Sequence, residues 1–264
     1  MSSEINFGIT QYGDEIIELP EDLSSLLSFK EYRVNSMEDV KNIPTNEWCI
    51  AHGPDAYEDT SDECINALAK HPSVAYVNIH PRPEDEYTLC RKCYCRMINL
   101  QTPKQSCDRC GAMVSSDQYG EELAQYHFDT IVTNIIGYAE VLRVSGKKLL
   151  LENTFEPPSL MKKIFSALPS DIGFTLDVGH CLFSSVLPQD YIYEMRDQLT
   201  HLHLHDNMGG YSEMYHDRHS SPGTGLANWD LIAKALNQIE FKGTATFECM
   251  PEFSWVQKWK SGLA

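Results

Sequence analysis

The sequence has few positive charges and no long apolar run. Lysine and arginine number 21 against 38 aspartate and glutamate residues, so the formal net charge is −17. Such a charge argues against tight, nonspecific binding to nucleic acid, which needs a positive surface. No apolar run approaches the roughly 18 residues of a membrane span, and the N-terminus lacks a positive segment followed by an apolar stretch. We therefore expect a soluble, cytoplasmic protein with no signal peptide and no membrane partner.

Short apolar runs in this chain end at residues that can bind a metal ion. Six of these runs end, in chain order, at His52, His80, Glu152, Asp177, His203 and Glu248. Two further apolar segments, residues 5–9 and 32–34, precede them and bring the number of expected strands to eight. Several intervals of 25–28 residues fit one strand, one helix and two loops. The pattern predicts a single α/β domain over 1–264, a (β/α)8 TIM barrel whose strands deliver ligands to the end where barrel active sites are built.

Two intervals are longer than one strand and one helix require. The interval from His80 to Glu152 is 72 residues and contains a group of cysteines, and that from His203 to Glu248 is 45 residues. Because both extra segments follow the end of a strand, we expect both to lie over the active face. Helices are expected over 121–143 and 229–239.

The cysteines suggest a structural metal site and not disulfides. Their number, nine, is odd, and nothing else in the sequence indicates secretion. Two Cys-x-x-Cys pairs are separated by thirteen residues, and their members are Cys90, Cys93, Cys107 and Cys110. Four thiolates at this spacing are typical of a tetrahedral four-cysteine zinc site. We predict a small zinc-ribbon-like insertion at 85–117, after the fourth strand, with Cys95 as a spare ligand for Cys93.

The insertion is locally basic in an acidic protein. Its positive residues between the outer cysteines are Arg91, Lys92, Arg96, Lys104 and Arg109, against Asp108 alone. These residues balance the thiolates and nearby acids, or they hold an anionic substrate such as a phosphate. The sequence leaves both explanations open.

Five motifs resemble those of the endonuclease IV family, which belongs to the xylose-isomerase-like barrels. They are Leu151-Glu152-Asn153-Thr154, Asp177-Val178-Gly179-His180, His203-Leu204-His205-Asp206-Asn207, Asp217-Arg218-His219 and the turn Pro222-Gly223-Thr224-Gly225. The resemblance covers the barrel from about His52 to Glu248 and excludes the cysteine insertion.

The resemblance implies a site for three metal ions. The first ion would be held by His52, His80 and Glu152; the second by Glu152, Asp177, His203 and Glu248; and the third by His180, Asp217 and His219. Neutral imidazoles and carboxylates suit Zn²⁺, Mn²⁺ or Fe²⁺, so two or three such ions are expected in the barrel. Glu152, Glu248 and His180 are the expected catalytic residues.

The main hypothesis is a metal-dependent phosphoesterase that resembles endonuclease IV. Metal-activated hydroxide would cleave a phosphodiester at the trinuclear site, and abasic or modified DNA is a candidate substrate despite the acidic charge. The alternative is a sugar or sugar-phosphate isomerase or epimerase with a single ion, in which Glu152 and Glu248 shuttle a proton beside a carbonyl. Its ion would need none of four residues that the trinuclear site requires: His52, His80, Asp217 and His219.

The sequence is also consistent with two other functions. The barrel could be a binding module that recruits a partner through the insertion, or a multinuclear iron oxidase, because the same ligands accept Fe²⁺. His201, His205 and His216 are not expected to bind metal, whereas His205, Tyr57 and Arg218 are candidates for substrate contacts. The other cysteines, Cys49, Cys64, Cys181 and Cys249, are expected to be buried as small hydrophobic residues.

The insertion zinc can be counted. We expect a Cys90→Ser/Cys107→Ser protein, purified without chelator, to contain one zinc ion fewer per chain than the wild type, because two of four thiolates are lost. Elemental analysis of both proteins makes the measurement. Equal zinc contents would show that the cysteine assignment is wrong.

Overall fold

The structure is a computed structural model that describes residues 5–12, 18–54, 60–81, 88–89, 96–97, 104–106, 113–115, 121–154, 156, 158–183, 186–208 and 217–262. Within these residues, eight parallel strands close into a barrel, which confirms the predicted (β/α)8 fold. The strands are β1 (Asn6–Tyr12), β2 (Phe29–Arg33), β3 (Cys49–His52), β4 (Val74–Ile79), β5 (Lys148–Glu152), β6 (Gly173–Asp177), β7 (Leu199–Leu204) and β8 (Thr244–Phe247).

Each strand of the barrel pairs with its neighbours in the chain, and β8 closes the barrel against β1. Strand β7 shows which kinds of side chain face the inside and the outside of the barrel. His201 and His203 point into the barrel, where both contact Glu31 of β2, while Leu202 and Leu204 belong to the hydrophobic core. Successive side chains of a strand face opposite sides. The barrel therefore has an apolar outer layer and, in this part of its interior, a polar one.

The helices cover the outside of the barrel. They are α1 (Glu21–Ser24), α2 (Met37–Asn42), α3 (Ser61–Lys70), α4 (Glu121–Val144), α5 (Pro158–Ala167), α6 (Val178–Phe183), α7 (Pro188–Glu194), α8 (Trp229–Gln238) and α9 (Phe253–Gly262). Local sequence determines where some of these helices begin. Ser36 and Asp39 form a capping box at the start of α2, and the Asn228 side chain caps α8. The predicted helices at 121–143 and 229–239 correspond to α4 and α8.

The segment between β4 and α4 contains two antiparallel strand pairs. Thr88–Leu89 pairs with Arg96–Met97, and Lys104–Ser106 pairs with Met113–Ser115. The predicted ligands of the insertion zinc, and the spare Cys95, lie outside the described residues. They are Cys90, Cys93, Cys107 and Cys110. The four-cysteine site and the 85–117 boundary therefore stay predictions.

The remaining cysteines follow the expectation in all but one case. Cys49, Cys64 and Cys181 are buried, whereas Cys249 is only partly buried, one residue beyond Glu248. Three of the four thiols therefore pack as small hydrophobic groups.

One buried carboxylate holds the loop that returns from β7 to α8. Asp206 accepts hydrogen bonds from the backbone N–H groups of Ala227 and Gly223, at 3.1 and 3.0 Å, and from the indole N–H of Trp229 at 3.0 Å. A side chain at Gly225 would collide with this carboxylate. The glycine turn seen in the sequence is therefore required by the close approach of the loop to Asp206.

None of the helices in the described part of the chain combines the length and the hydrophobicity needed to cross a bilayer.

The role of Asp206 in holding the loop between β7 and α8 can be tested by substitution. We expect Asp206→Ala to lower the free energy of unfolding by about 3 kcal/mol, because it leaves buried N–H groups without their acceptor. Urea denaturation measures the change. Asp197→Ala is the control, since that side chain is 80% exposed and its loss should change stability by no more than about 0.5 kcal/mol. A loss below about 1 kcal/mol for Asp206→Ala would contradict the anchoring role.

Candidate metal centre

The predicted ligands lie at the carboxyl ends of the strands. His52, Glu152 and Asp177 are the last residues of β3, β5 and β6, and His80 and Glu248 come directly after β4 and β8. Parallel strands of a barrel bring such positions together on one face. All of these side chains are at least nine-tenths buried.

Glu152 lies at the centre of this group. Its Oε2 atom is 3.2 Å from His52 Nε2 and 3.2 Å from His203 Nδ1. Its Oε1 atom is 3.4 Å from His80 Nε2 and 3.3 Å from His180 Nδ1. One carboxylate in contact with four imidazoles is well placed to bridge two ions, as the resemblance to endonuclease IV implies.

His203 is surrounded by acidic side chains on both ring nitrogens. Its Nδ1 atom faces Glu152, Glu248 Oε1 at 3.4 Å and Asp177 Oδ2 at 3.7 Å. Its Nε2 atom is 3.0 Å from Glu31 Oε1, deep in the barrel. Because Nε2 donates to Glu31, Nδ1 is the nitrogen that points toward the other three carboxylates. The side chains of the four residues predicted for the second ion therefore lie close together, around His203 Nδ1.

A second cluster surrounds Asp217 at the rim of the cleft. Its Oδ2 atom is 2.5 Å from His219 Nε2 and 3.3 Å from His180 Nε2. Asn207 donates a hydrogen bond to the Oδ1 atom at 3.2 Å. The three residues predicted for the third ion thus lie together, with His180 between the two clusters.

His205 occupies a place that the sequence did not indicate. The sequence predicts a substrate contact for His205, but this residue is completely buried between the two clusters. Its Nε2 atom is 2.9 Å from Asp177 Oδ1, and its Nδ1 atom is 3.7 Å from Asp217 Oδ1. The position two residues beyond His203 continues the inward-facing alternation of β7, and this is the signal that could have identified it.

The other candidates for substrate contacts are less well defined. Arg218 lies next to the second cluster, where its backbone N–H donates to Asn207 Oδ1 at 2.9 Å. Tyr57, the third candidate, lies outside the described residues, as does His216, which was not expected to bind metal.

Three more residues contribute to the site without a sequence signal. The side-chain amide of Asn78 donates to Glu152 Oε2 at 2.5 Å, and Arg33 Nη1 lies 3.1 Å from His52 Nε2. Glu31 was missed because its strand, β2, is weak in the sequence and its histidine partners are about 170 residues away.

Metal-binding potential is supported by donor atoms that lack a hydrogen bond. His203 Nδ1, His205 Nδ1 and Glu248 Oε2 are buried and have no hydrogen-bond partner. Each such group costs free energy unless it is compensated. Cations would compensate them, since nitrogen and carboxylate donors of this kind bind divalent transition metals. The described residues therefore fit metal ions, although their assignment as ligands stays a prediction.

The electrostatics of the metal-free cluster pair ionised acids with protonated histidines. Burial raises the pKa of Glu152, but His203 and His80 outweigh burial and hold this pKa well below its usual range. Burial lowers the pKa of His203, but Glu152 and Glu248 hold it well above its usual range. Metal binding must displace these protons.

In the cluster around Asp217, too, burial and the neighbouring acids act in opposite directions on the pKa values of the histidines. Burial lowers the pKa of His219, yet Glu248 and Asp217 raise it to about 9. Burial likewise lowers the pKa of His180, while Asp177 and Asp217 hold it well above its usual range. His52 differs from these histidines, because burial and then the charge of Arg33 lower its pKa.

Comparison with known proteins places the fold. The family described as "Xylose isomerase-like TIM barrel" matches residues 54–264. No curated protein matches the chain in sequence.

Solved structures resemble the chain over nearly its whole length. A D-tagatose 3-epimerase-like protein has a TM-score of 0.66 at 16% identity, with 97% of this chain and 95% of that chain covered. A Thermus thermophilus protein soaked with ZnCl2 has a TM-score of 0.66 at 17% identity, with 98% of both chains covered. D-psicose 3-epimerase from Clostridium cellulolyticum, with D-tagatose, has a TM-score of 0.58 at 14% identity, with 92% and 84% covered. At these identities the likeness concerns the fold.

The histidine protons predict how pH affects the metal-free protein. Raised pKa values at His180, His203 and His219 contribute stability that is fully present below about pH 6.5, the pKa of an unfolded histidine. That contribution is lost as the pH rises through the folded values, which is about 9 for His219. We expect the melting temperature in chelator to fall between pH 6.5 and 9, and added zinc to remove much of this fall.

Differential scanning calorimetry across this pH range makes the measurement. Asp217→Asn should reduce the fall, because it removes an acid that raises the pKa of His180 and His219. A melting temperature that is constant or rises toward pH 9 in the metal-free wild type would contradict the expected protonation.

Proposed function

Because the chain belongs to the xylose isomerase-like TIM barrel family, we propose that it is a metal-dependent enzyme that isomerises or epimerises a sugar or a sugar phosphate. The observation that carries this proposal is the set of three carboxylates around His203 Nδ1. Two of them, Glu152 and Glu248, approach the nitrogen to 3.2 and 3.4 Å, and the third belongs to Asp177. This is the ligand set that the isomerase hypothesis requires.

The ligand set combines one imidazole with three carboxylates. It suits Mn²⁺, Fe²⁺ or Zn²⁺. Such an ion, when bound, would polarise the oxygen atoms of a carbonyl or hydroxyl group of the substrate. Glu152, Asp177, His203 and Glu248 would hold it.

Glu248 is the better placed of the two glutamates to take a proton from carbon. Its Oε2 atom has no hydrogen-bond partner, whereas Glu152 contacts four histidines and has a pKa held well below its usual range. A general base needs an available oxygen, and a strongly lowered pKa makes a carboxylate a weak base. In this proposal Glu248 takes the proton from the carbon beside the carbonyl and, once protonated, returns it to the adjacent carbon.

Arg33 is the proposed binding group for the substrate. Arg33, at the end of β2, places a permanent positive charge beside the acidic cleft. That charge suits a phosphate or a negatively polarised oxygen of the substrate.

The structural relatives support this proposal. A D-tagatose 3-epimerase-like protein and a D-psicose 3-epimerase share the fold over most of their length. The comparisons therefore agree better with the isomerase hypothesis than with the phosphodiesterase that the sequence motifs favoured.

Phosphoester hydrolysis remains the second candidate because of one specific observation. The four residues that a single-ion isomerase does not need all lie in the site. His52 and His80 contact Glu152, and His219 and His180 contact Asp217. Several ions in one cleft can clamp the attacking and leaving oxygens of a phosphoryl transfer.

Hydrogen exchange separates the two reactions. We expect the protein, loaded with Mn²⁺ or Zn²⁺, to exchange a carbon-bound hydrogen of a ketose or ketose phosphate with D₂O, as followed by proton NMR. Glu248→Gln should slow this exchange by about 10²- to 10⁴-fold, because it removes the general base. Glu252→Gln is the matched control, since it changes an exposed glutamate nearby and should leave the rate unchanged.

A parallel assay uses bis(4-nitrophenyl) phosphate and a duplex with an abasic site in H₂¹⁸O. Cleavage with ¹⁸O in the phosphate, together with no exchange in any ketose, would replace the isomerase proposal with the hydrolase.

A further inference from the structure

We propose that His205 is the fourth protein ligand of a closed metal site that it forms with His180, Asp217 and His219. The resemblance to endonuclease IV gives this ion only three ligands and assigns no role to His205. The proposal does not depend on which reaction the enzyme catalyses, because it concerns how one ion is held.

The hydrogen bonds of His205 leave one nitrogen available. Its Nε2 atom lies 2.9 and 3.0 Å from the two carboxylate oxygens of Asp177, so this nitrogen carries the proton and donates. The Nδ1 atom is therefore the nitrogen left to face another partner. It is completely buried and has no hydrogen-bond partner.

The available nitrogen faces a carboxylate oxygen. His205 Nδ1 is 3.7 Å from Asp217 Oδ1, so no hydrogen bond joins the two atoms. A cation between them would compensate both buried groups. The ligand atoms of a tetrahedral zinc ion, with bonds of about 2.0–2.2 Å, are themselves about 3.3 Å apart.

The other three residues aim their donor atoms at the same point. His180 donates from Nδ1 to the backbone oxygen of Asn153 at 2.9 Å, which leaves Nε2 to face Asp217. His219 Nε2 contacts the same carboxylate. The ligand atoms of His180, His205, Asp217 and His219 all lie within 4.8 Å of one another. Three imidazoles and one carboxylate are a set that zinc accepts.

The backbone next to His205 leaves room for its imidazole ring. A side chain at Gly179 would collide with the imidazole, so the glycine between Asp177 and His180 is needed for the ring to fit. The rings of His205 and His219 are nearly parallel, with centroids 4.1 Å apart. His219 itself has a φ of 43°, a left-handed conformation that is uncommon outside glycine and is concentrated at functional sites.

A closed site has a different role from an open one. Catalytic zinc keeps a coordination position for water or substrate, whereas structural zinc has four protein ligands. An ion bound by all four residues would hold the loop that carries Asp217 and His219 against the barrel. Asp177 would link this ion to the central site, because it accepts from His205 on one side and faces His203 on the other.

Metal counting on variants tests the assignment. We expect His205→Asn and His219→Asn each to lose one ion per chain, or to weaken it by at least about 100-fold, since loss of even an outer partner costs about 10- to 100-fold. The double variant should lose no further ion, because both residues hold the same one. His71→Asn, which changes a histidine outside the cleft, is the control and should keep every ion.

Full metal content in His205→Asn, or loss of a second ion in the double variant, would overturn the proposal. Far-UV circular dichroism identifies variants that do not fold.

A measurement on the wild type makes the proposal independent of the variants. With cadmium-113 and ¹⁵N-labelled histidine, one cadmium signal should show scalar coupling to three imidazole nitrogens, one of them the Nδ1 of His205. Coupling to only two histidines at that cadmium, with His205 uncoupled, would show that the site is open. Neither experiment uses a substrate, so failure of the isomerase proposal leaves this test unaffected.

Discussion

The burial of Glu152 among histidines is the constraint on which the rest of the site depends. A charged carboxylate in a barrel interior is expensive unless it is paired and hydrogen-bonded. Glu152 is 1% exposed and is compensated by Asn78 and by imidazoles from four other segments of the chain. Because these partners come from β3, β4, α6 and β7, this carboxylate is satisfied only when distant segments of the chain have come together.

The histidines in turn depend on a second layer of acceptors. Glu31 holds His203, the backbone of Asn153 holds His180, and Asp177 holds His205. Each of these acceptors binds one ring nitrogen and leaves the other nitrogen to face the cleft. Carboxylates and carbonyls orient metal-binding histidines in this way. Glu31 does this from inside the barrel, where it is completely buried. The orientation of these three rings is therefore set inside the barrel and at the ends of its strands.

The cleft has two parts with different chemistry. Around His203 the donors are mostly carboxylates, which suit an ion that must also accept substrate oxygens. Around Asp217 they are mostly imidazoles, and their four ligand atoms lie within 4.8 Å of one another, as the proposed closed site requires. The proposed reaction at the first part and the proposed structural ion at the second would together account for motifs that resemble endonuclease IV in a barrel whose fold is similar to that of sugar epimerases.

The sequence by itself determined the barrel and the strand-end positions of its acidic and imidazole groups. Apolar runs that end at His52, Glu152 and Asp177 carry this information locally, because the strand and its terminal residue are adjacent in the chain. Only the tertiary structure decided the roles of Glu31 and His205. Their partners lie on other strands: Asp177 is 28 residues from His205, and His201 is 170 residues from Glu31. Such contacts exist only after closure of the barrel sets the register of its strands, and no local pattern encodes that register.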